Sequence, residues 1–278
     1  MKKYTKKITK ALIKSAILAL VIIKAFDTDI KVREYSINTD KVKKRKKFVL
    51  ITDLHSGLYG STQSELIERI NEIAPDAVLF GGDIVESFEE DRGGRLLFEA
   101  MGRKYRCFYV TGNHEYRSRR VNEIKEMIRG YGVNVLEGSC IPFDDEITVW
   151  GTDDPCCRFK EYGAYDNWYR QFFKCSSEAD KSKYNILLSH RPERTDDYEN
   201  SKFDLVLCGH AHGGQWRIPF LLNGLYAPNQ GLFPKYAGGK YKLGDVDMIV
   251  SRGLKKSFLP RIFNSPEIVV VNIDSNIK

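Results

Sequence analysis

The stretch KKFVLITDLHSG, residues 46–57, joins a run of apolar residues to two polar side chains that can bind a metal. The run FVLI is typical of a strand that is buried on both faces, as in a parallel sheet covered by helices. Asp53 and His55 follow directly, where the predicted strand ends. In open α/β sheets the binding groups lie at the carboxyl ends of the strands. The stretch therefore predicts an α/β protein with a site at that edge.

The same pattern, an apolar run that ends in polar residues, occurs four more times along the chain. DAVLFGGD (76–83) ends at Asp83, RCFYVTGNHE (106–115) presents Asn113 and His114, NILLSH (185–190) presents His190, and FDLVLCGHAHGG (203–214) presents His210 and His212. All five histidines of the chain lie at such positions. Scattered surface histidines would not follow this pattern, so we expect these side chains to meet in one site.

Two of these motifs place polar side chains two positions apart. In an extended strand such side chains point the same way, so Asp53 and His55 are expected to face one site, as are His210 and His212. Carboxylate, amide and imidazole ligands without a thiolate suit Mn²⁺, Fe or Zn²⁺. Two aspartates, one asparagine and four histidines exceed what one metal needs. The pattern predicts two divalent metal ions.

Helical periodicity separates the strands in the first half of the chain. QSELIERINEIA (63–74) is the clearest case and stops before Pro75, and similar patterns surround residues 94–101 and 121–132. The later strands come with fewer helices, apart from a helix-prone stretch at 162–173. No linker rich in Pro, Gly or Ser divides the halves. We predict one catalytic domain over residues 29–278, with two packed sheets.

The N-terminal segment combines basic clusters with an apolar stretch. Residues 1–10 and 41–47 carry eleven basic residues, and residues 11–26 between them are mostly apolar. The stretch falls short of the ~20 residues that cross a bilayer, although terminal lysines extend its usable length. A soluble amphipathic helix is the alternative, and a cleaved signal lacks a small-x-small site. We predict a basic N-terminus and membrane anchor over residues 1–28.

The charge of the chain bears on its partners and its location. The formal net charge is +7, which suits anionic lipid or nucleic acid. Because the lysines flank an apolar stretch without interleaved aromatic residues, we expect a membrane surface and not nucleic acid as the partner. Lysines are denser before the apolar stretch than after it, which predicts a cytoplasmic N-terminus and an extracytoplasmic catalytic domain.

The order D-x-H, GD, GNHE, a single His and GHxH resembles the calcineurin-like metallophosphoesterase superfamily, from about Lys47 to Ile273. The segments GHAHGGQWRIP (209–219), SRGL (251–254) and PEIVVV (266–271) resemble its bacterial membrane-anchored branch. That branch is grouped with UDP-2,3-diacylglucosamine hydrolase-like phosphoesterases. The resemblance implies a four-layer α/β/β/α sandwich of two mixed sheets flanked by helices, here with an N-terminal membrane-anchor helix.

The resemblance also implies a role for each motif residue. One metal would be held by Asp53, His55 and His212, the other by Asn113, His190 and His210, with Asp83 bridging both. His114 would contact the scissile phosphate and protonate the leaving group. The implied reaction is hydrolysis of a phosphoester, phosphodiester or pyrophosphate bond by in-line attack of a metal-bridging hydroxide.

Two further residues have alternative interpretations. Many relatives carry an aspartate three residues after the GD aspartate, where this chain has Glu86. Glu86 either supports His114 through a shifted geometry or is an exposed loop acid. Arg117 follows the GNHE motif and either binds a phosphate oxygen or begins a solvated helix.

The segment after Gln215, WRIPFLLNGLYAPNQGLFPKY (216–236), is unusually apolar for a loop beside a polar site. Exposed, these side chains would suit a lipid-linked phosphoester or contact with a bilayer; alternatively, the loop folds over the sheet edge and buries them. Soluble nucleotides or phosphoproteins are the alternative substrates, and a non-catalytic metal-binding scaffold of the same fold is the alternative function. We expect a monomer.

Overall fold

The structure, a computed structural model, describes residues 2–86, 91–156, 164–256 and 259–276. The helices are α1 (Lys2–Ala25), α2 (Ser64–Ile73), α3 (Arg92–Gly102), α4 (Asn113–Arg117), α5 (Val121–Gly130), α6 (Ala164–Glu178) and α7 (Thr195–Glu199). The first strands are β1 (Lys31–Thr39), β2 (Lys46–Ile51), β3 (Ala77–Gly81), β4 (Arg106–Val110), β5 (Asn134–Val135), β6 (Ser139–Pro142) and β7 (Ile147–Gly151). The later strands are β8 (Tyr184–Leu188), β9 (Leu205–Cys208), β10 (Tyr226–Ala227), β11 (Gly231–Leu232), β12 (Gly239–Leu243), β13 (Val246–Val250) and β14 (Glu267–Ser275).

Most of these strands form two six-stranded mixed sheets. The first has the order β1-β14-β2-β3-β4-β5, in which β2 to β5 are parallel and β14 is antiparallel to β2. The second has the order β12-β13-β9-β8-β7-β6, in which β13, β9, β8 and β7 are parallel. Its edge strands β12 and β6 run antiparallel to their neighbours, and β10 pairs with β11 in a separate hairpin.

The apolar run FVLI shows why these strands sit between layers. Phe48 and Leu50 of β2 pack in the core between the two sheets, whereas Val49 and Ile51 pack in the core beneath the helices. All four side chains are fully buried. Because successive residues of a strand face opposite sides, a strand covered on both faces needs an unbroken apolar run.

Helices cover the outer face of each sheet. Leu66 of α2, Phe98 of α3 and Ile128 of α5 pack against the first sheet. Trp168 and Phe172 of α6 pack against the second sheet and stack on each other, with ring centroids 5.0 Å apart. The order of layers is helix, sheet, sheet, helix, so the predicted sandwich of two mixed sheets flanked by helices is confirmed.

The predicted membrane-spanning anchor is not supported. Helix α1 forms where the anchor was expected, and the side chains of Leu12, Ile17 and Ile23 are exposed. Among the residues that the structure describes, no helix is both long enough and apolar enough to cross a membrane. Lys14 and Lys24 interrupt the apolar stretch, which lowers its mean hydropathy.

Candidate metal centre

Five loops that follow parallel strands meet between the two sheets. The loops after β2, β3 and β4 belong to the first sheet, and those after β8 and β9 to the second. Backbone hydrogen bonds tie the first two loops together, since Asp53 N donates to Gly82 O at 3.0 Å and His55 N to Asp83 O at 3.0 Å. The backbone N–H of His210 donates to the Asp53 carboxylate at 3.1 Å and so connects the sheets. The predicted motif residues are thereby brought into one place.

The paired ligands face one site as predicted, but the backbone there is not extended, so the alternation of a strand is not the cause. Five of the seven predicted ligands have a positive φ: Asp53 (52°), His55 (50°), Asp83 (53°), His210 (66°) and His212 (47°). This left-handed conformation costs roughly 1–3 kcal/mol for a residue with a side chain. Strain of this kind concentrates at functional sites, where the surrounding structure over-determines it.

Two glycines allow the loops to approach this closely. A Cβ atom on Gly112 would lie 2.2 Å from Asp83 Oδ1, and one on Gly209 would lie 2.6 Å from Asp53 Oδ2. Both separations are far below van der Waals contact, so a larger residue would push a carboxylate out of position. The glycines in the GNHE and GHxH motifs therefore have a steric function.

The ligand atoms form two neighbouring groups. Those of Asp53, His55 and His212 lie within 4.8 Å of one another, as do those of Asp83, His190 and His210. Asp83 Oδ2 is 3.3 Å from His190 Nε2 and 3.7 Å from His55 Nε2, so it lies between the groups. This is the position that a bridging carboxylate requires.

The donor atoms fit divalent cations. Within the described residues, six buried atoms of the predicted ligands have no hydrogen-bond partner: His55 Nε2, Asp83 Oδ2, Asn113 Oδ1, His190 Nε2, His210 Nδ1 and His212 Nδ1. An unsatisfied buried polar atom costs about 1–3 kcal/mol, so six together need a common partner. Nitrogen and oxygen ligands without a thiolate suit Mn²⁺, Fe or Zn²⁺.

Hydrogen bonds to the other ring nitrogens orient three of the imidazoles. His190 Nδ1 donates to Gly81 O at 2.7 Å, and His55 Nδ1 to Glu86 Oε2 at 2.7 Å. His210 Nε2 lies 3.0 Å from Asn229 Oδ1, to which it donates when Nδ1 carries the lone pair. The bonds of His55 and His190 fix the tautomer that leaves the inward nitrogen available to a metal.

The electrostatics of the site favour a positive charge between the carboxylates. Burial lowers the pKa of His190, but the Asp83 carboxylate and the more distant Asp53 outweigh it and raise the pKa to about 10. Burial lowers the pKa of His212 to about 3, despite the neighbouring Asp53. The carboxylates favour a positive charge on His190, whereas burial keeps His212 neutral. A metal cation supplies that positive charge and can be bound by both imidazoles.

Glu86 lies between two of the motif histidines and is not an exposed loop acid. Its Oε1 accepts from His114 Nδ1 at 2.5 Å, and its Oε2 accepts from His55 Nδ1 at 2.7 Å. Lys255 Nζ lies 3.8 Å from the same carboxylate. Burial raises the pKa of Glu86, but the two histidine bonds prevail and lower it below its usual range. Glu86 therefore supports His55 and His114 at once.

Arg117 is placed beside His114. Its Nη1 lies 3.2 Å from His114 Nε2, and its buried Nε has no hydrogen-bond partner within the described residues. Arg120 instead contacts Asp91 and Glu123, away from the metal ligands. Of the two, Arg117 alone is positioned to meet a substrate oxygen.

Glu115 has a structural role that the sequence reasoning missed. Its buried carboxylate accepts hydrogen bonds from the backbone N–H groups of Asp83, Ile84, Val85 and Gly112, at 2.8–3.1 Å. Burial, reinforced by the charge of Asp83, raises its pKa to about 7. It holds the loops after β3 and β4 together. Its position beside His114 in the GNHE motif was the available signal.

A buried ion pair behind His210 was also missed. Arg191 binds both carboxylate oxygens of Asp154, with Nε at 2.5 Å and Nη2 at 2.7 Å. Its Nη1 lies 2.7 Å from Asn229 Oδ1 and 3.0 Å from His210 Nε2. The pair fixes Asn229, which in turn orients the His210 ring. Arg191 follows His190 directly, but Asp154 and Asn229 are remote in sequence.

Curated relatives are similar in sequence over most of this chain. An uncharacterized metallophosphoesterase of Helicobacter pylori (strain J99) is 32% identical over 241 residues, 85% of this chain and 61% of the relative. Phosphodiesterase YaeI of Escherichia coli (strain K12) is 26% identical over 234 residues, 82% of each protein. The chain spans between 51% and 63% of the length of three curated relatives, two from strains of Helicobacter pylori and one from Campylobacter jejuni.

A solved structure and a family profile complete the comparison. The phosphopantetheinyl hydrolase of Mycobacterium tuberculosis has a TM-score of 0.50 at 12% identity, covering 78% of this chain and 95% of that one, which shows a shared fold. The predicted superfamily is confirmed, and the narrower bacterial branch stays a prediction. The profile of the calcineurin-like phosphoesterases matches residues 46–214, which include all five metal-site loops. Because this match covers more than half of the sequence, the chain belongs to the calcineurin-like phosphoesterase family.

Proposed function

We propose that this chain is a dinuclear metal-dependent phosphoesterase that hydrolyses a phosphoester or phosphodiester bond. The observation that carries the proposal is the convergence of six buried ligand atoms, which have no partner among the residues described, on one small volume. One cation is assigned to Asp53, His55 and His212, the second to Asn113, His190 and His210, with Asp83 between them. Bound there, two divalent cations would polarise the phosphoryl group and activate a water.

His114 is the group that we assign to proton transfer. Its Nδ1 is fixed by Glu86 at 2.5 Å, and its side chain is 16% exposed, so a substrate can reach it. Burial lowers the pKa of His114, but the hydrogen bond to Glu86 and the charge of Asp83 outweigh burial and raise it. A histidine held protonated beside the scissile bond can donate its proton to the leaving oxygen.

Arg117 is assigned to substrate binding. Its guanidinium lies beside His114, and its unpartnered Nε is available to an additional acceptor. A phosphate oxygen is the acceptor that an arginine beside a phosphoryl site binds best. Arg117 would therefore hold the phosphoryl group in reach of the proton donor.

The substrate that we propose is lipid-linked. Trp216, Phe220 and Leu221 follow the metal-site motif GHxH closely in sequence and are 40%, 108% and 84% exposed. Exposed apolar surface beside a polar reaction site suits a substrate with an apolar portion. Attachment of the N-terminal segment to a membrane, with an extracytoplasmic catalytic domain, remains a prediction from the distribution of lysines.

The proposal is tested by loading the full chain with Mn²⁺ and measuring turnover of bis-p-nitrophenyl phosphate and p-nitrophenyl phosphate. We expect metal-dependent hydrolysis, and the ratio of the two rates separates diesterase from monoesterase activity. A folded protein that binds its metals but hydrolyses neither compound would instead be the metal-binding scaffold. Comparison of a lipid-linked phosphodiester with a soluble nucleotide then tests the substrate class.

A further inference from the structure

The turn at residues 218–222, which we call the apolar tip, projects large apolar side chains into solvent. Phe220 and Leu221 at its end are 108% and 84% exposed. The hydrophobic effect opposes such exposure, by about 25 cal/mol for each Å² of apolar surface in water. A protruding pair of this kind marks a contact with another apolar phase or surface.

The exposure is built into the fold. Ile218 N donates to Leu222 O at 3.1 Å, and Leu222 N donates to Ile218 O at 2.8 Å, which closes the turn. Arg217 Nη2 donates to Asn223 Oδ1 at 2.7 Å across its base. The tip is therefore held outward by bonds at both of its ends.

Positive charge surrounds the base of the tip. The tip itself lines a cavity of about 740 Å³ together with Arg33, Arg217 and Arg252, and the described residues that line it include no acidic side chain. Glu267, which is fully buried, pairs with Arg252 at 3.4 Å and with Arg33 at 3.9 Å. Burial and the neighbouring Arg252 lower the pKa of Arg217 to about 10. Glu267 thus pairs with two of the three guanidinium groups, while Arg217 donates to Asn223, which leaves positive charge for an anionic ligand.

Neighbouring segments extend the apolar surface around the tip. Trp216 and Phe233 are 40% and 67% exposed, and Leu225 connects them because its N–H donates to Trp216 O and its carbonyl accepts from Phe233 N, both at 2.9 Å. The end of α1 joins the same region, since Phe263 N donates to Ala25 O at 2.8 Å. Backbone hydrogen bonds therefore connect the segments that carry these exposed apolar side chains.

We propose that the apolar tip docks onto the surface of an anionic lipid bilayer. Phe220 and Leu221 would enter the boundary between head groups and acyl chains, and the arginines behind them would bind lipid phosphates. A second copy of this chain fits less well, because two such faces would bring the same arginines together. The inference concerns binding and stands apart from the proposed catalysis. If the substrate is lipid-linked, docking also brings the metal centre to it.

Trp216 is a native reporter of docking. The chain has three tryptophans, and the other two, Trp150 and Trp168, are 4% and 0% exposed. The full chain is mixed with vesicles of phosphatidylcholine and phosphatidylglycerol that contain brominated lipid, which quenches nearby indoles. We expect quenching of Trp216 with these vesicles and much less with phosphatidylcholine alone. Vesicle binding without quenching would overturn the proposal, because another surface would then make the contact.

Variants locate the contact. The Phe220→Ser/Leu221→Ser double variant should lose most of the quenching, whereas Phe173→Ser, which removes a 60% exposed aromatic from α6, should not. Arg33→Gln should lower partitioning onto anionic vesicles about fivefold, the effect of one basic residue near such a surface. Arg103→Gln, at the residue that follows helix α3, is its control. Equal quenching in the double variant and the native chain would overturn the proposal, as would a vesicle-free dimer that the double variant abolishes.

Discussion

In the part of the chain that the structure describes, the loops of the metal centre bury polar atoms that lack hydrogen-bond partners, whereas the apolar tip holds apolar side chains out in water. Both arrangements cost free energy in the isolated chain, and both are held in place by bonds around them. The chemistry of the buried polar atoms and of the exposed apolar side chains indicates which partner would stabilise each of them. Buried nitrogen and oxygen donors need a cation, and exposed Phe220 and Leu221 need an apolar phase. The two regions therefore point to two different ligands.

The largest expected effect comes from removing the charge that lies between the two ligand groups. Asp83→Asn should lower turnover by at least ~10³-fold, because a bridging carboxylate holds both cations and metal catalysis supplies several kcal/mol. Metal content measured by mass spectrometry should fall together with activity. Asp145→Asn, in the turn between β6 and β7, is a control for the loss of one carboxylate. Two full metal equivalents in Asp83→Asn would contradict the bridging role.

His114→Asn separates the proton donor from the ligands. We expect kcat to fall ~10²–10⁴-fold, the usual contribution of a general acid, while metal content stays near that of the native chain. The readouts are the steady-state rate with a nitrophenyl diester and the metal content of the same sample. An unchanged kcat would remove His114 from the mechanism, and loss of metal would make it a ligand.

Glu115→Gln tests whether the missed carboxylate is structural. Four backbone N–H groups converge on it, and replacing one oxygen by an NH₂ group leaves some of them unpaired. The free energy of unfolding should fall by about 1–3 kcal/mol, measured by denaturant titration. Glu126→Gln, at a 73% exposed position on α5, should change it little. A stable Glu115→Gln protein would show that these bonds contribute little.

The smallest effect sharpens the contrast between the two regions. The Phe220→Ser/Leu221→Ser variant should change the free energy of unfolding by no more than about 0.5 kcal/mol, because surface positions contribute little to stability. Phe172→Ser, at a buried position on α6, should cost several times as much, since it opens a cavity in the core. Denaturant titration of both variants gives the comparison. A large loss from the double variant would mean that the tip packs against the protein.

Much of the fold followed from the sequence, because strands buried on both faces carry unbroken apolar runs. Phe48 to Ile51 show this, and the polar residues after such runs marked the loops that the structure brings together. The left-handed backbone of Asp53 and His210 could not be derived, since neither residue type demands it. Contacts between distant segments, such as Arg191 with Asp154, leave no local pattern.

Apolar composition alone did not predict the environment of two segments, one at the N-terminus and one in a loop. The apolar composition of residues 11–26 suggests a membrane span. Lysines interrupt this stretch, and the helix that forms there is not apolar enough to cross a membrane. The composition of residues 216–236 allows both a buried loop and an exposed rim, and the structure exposes Phe220 and Leu221. The hydrophobicity of a segment does not by itself indicate whether its side chains contact the protein core, water or another apolar phase.

The most direct test of the central claim is the number of divalent metal ions bound by the purified full chain. Mass spectrometry after loading with Mn²⁺ and removal of free ions gives the stoichiometry. We expect two ions per folded chain, and loss of bound metal when Asp83 is replaced by Asn. One ion or none in a folded sample, or two ions that survive Asp83→Asn, would contradict a dinuclear centre built on these seven side chains.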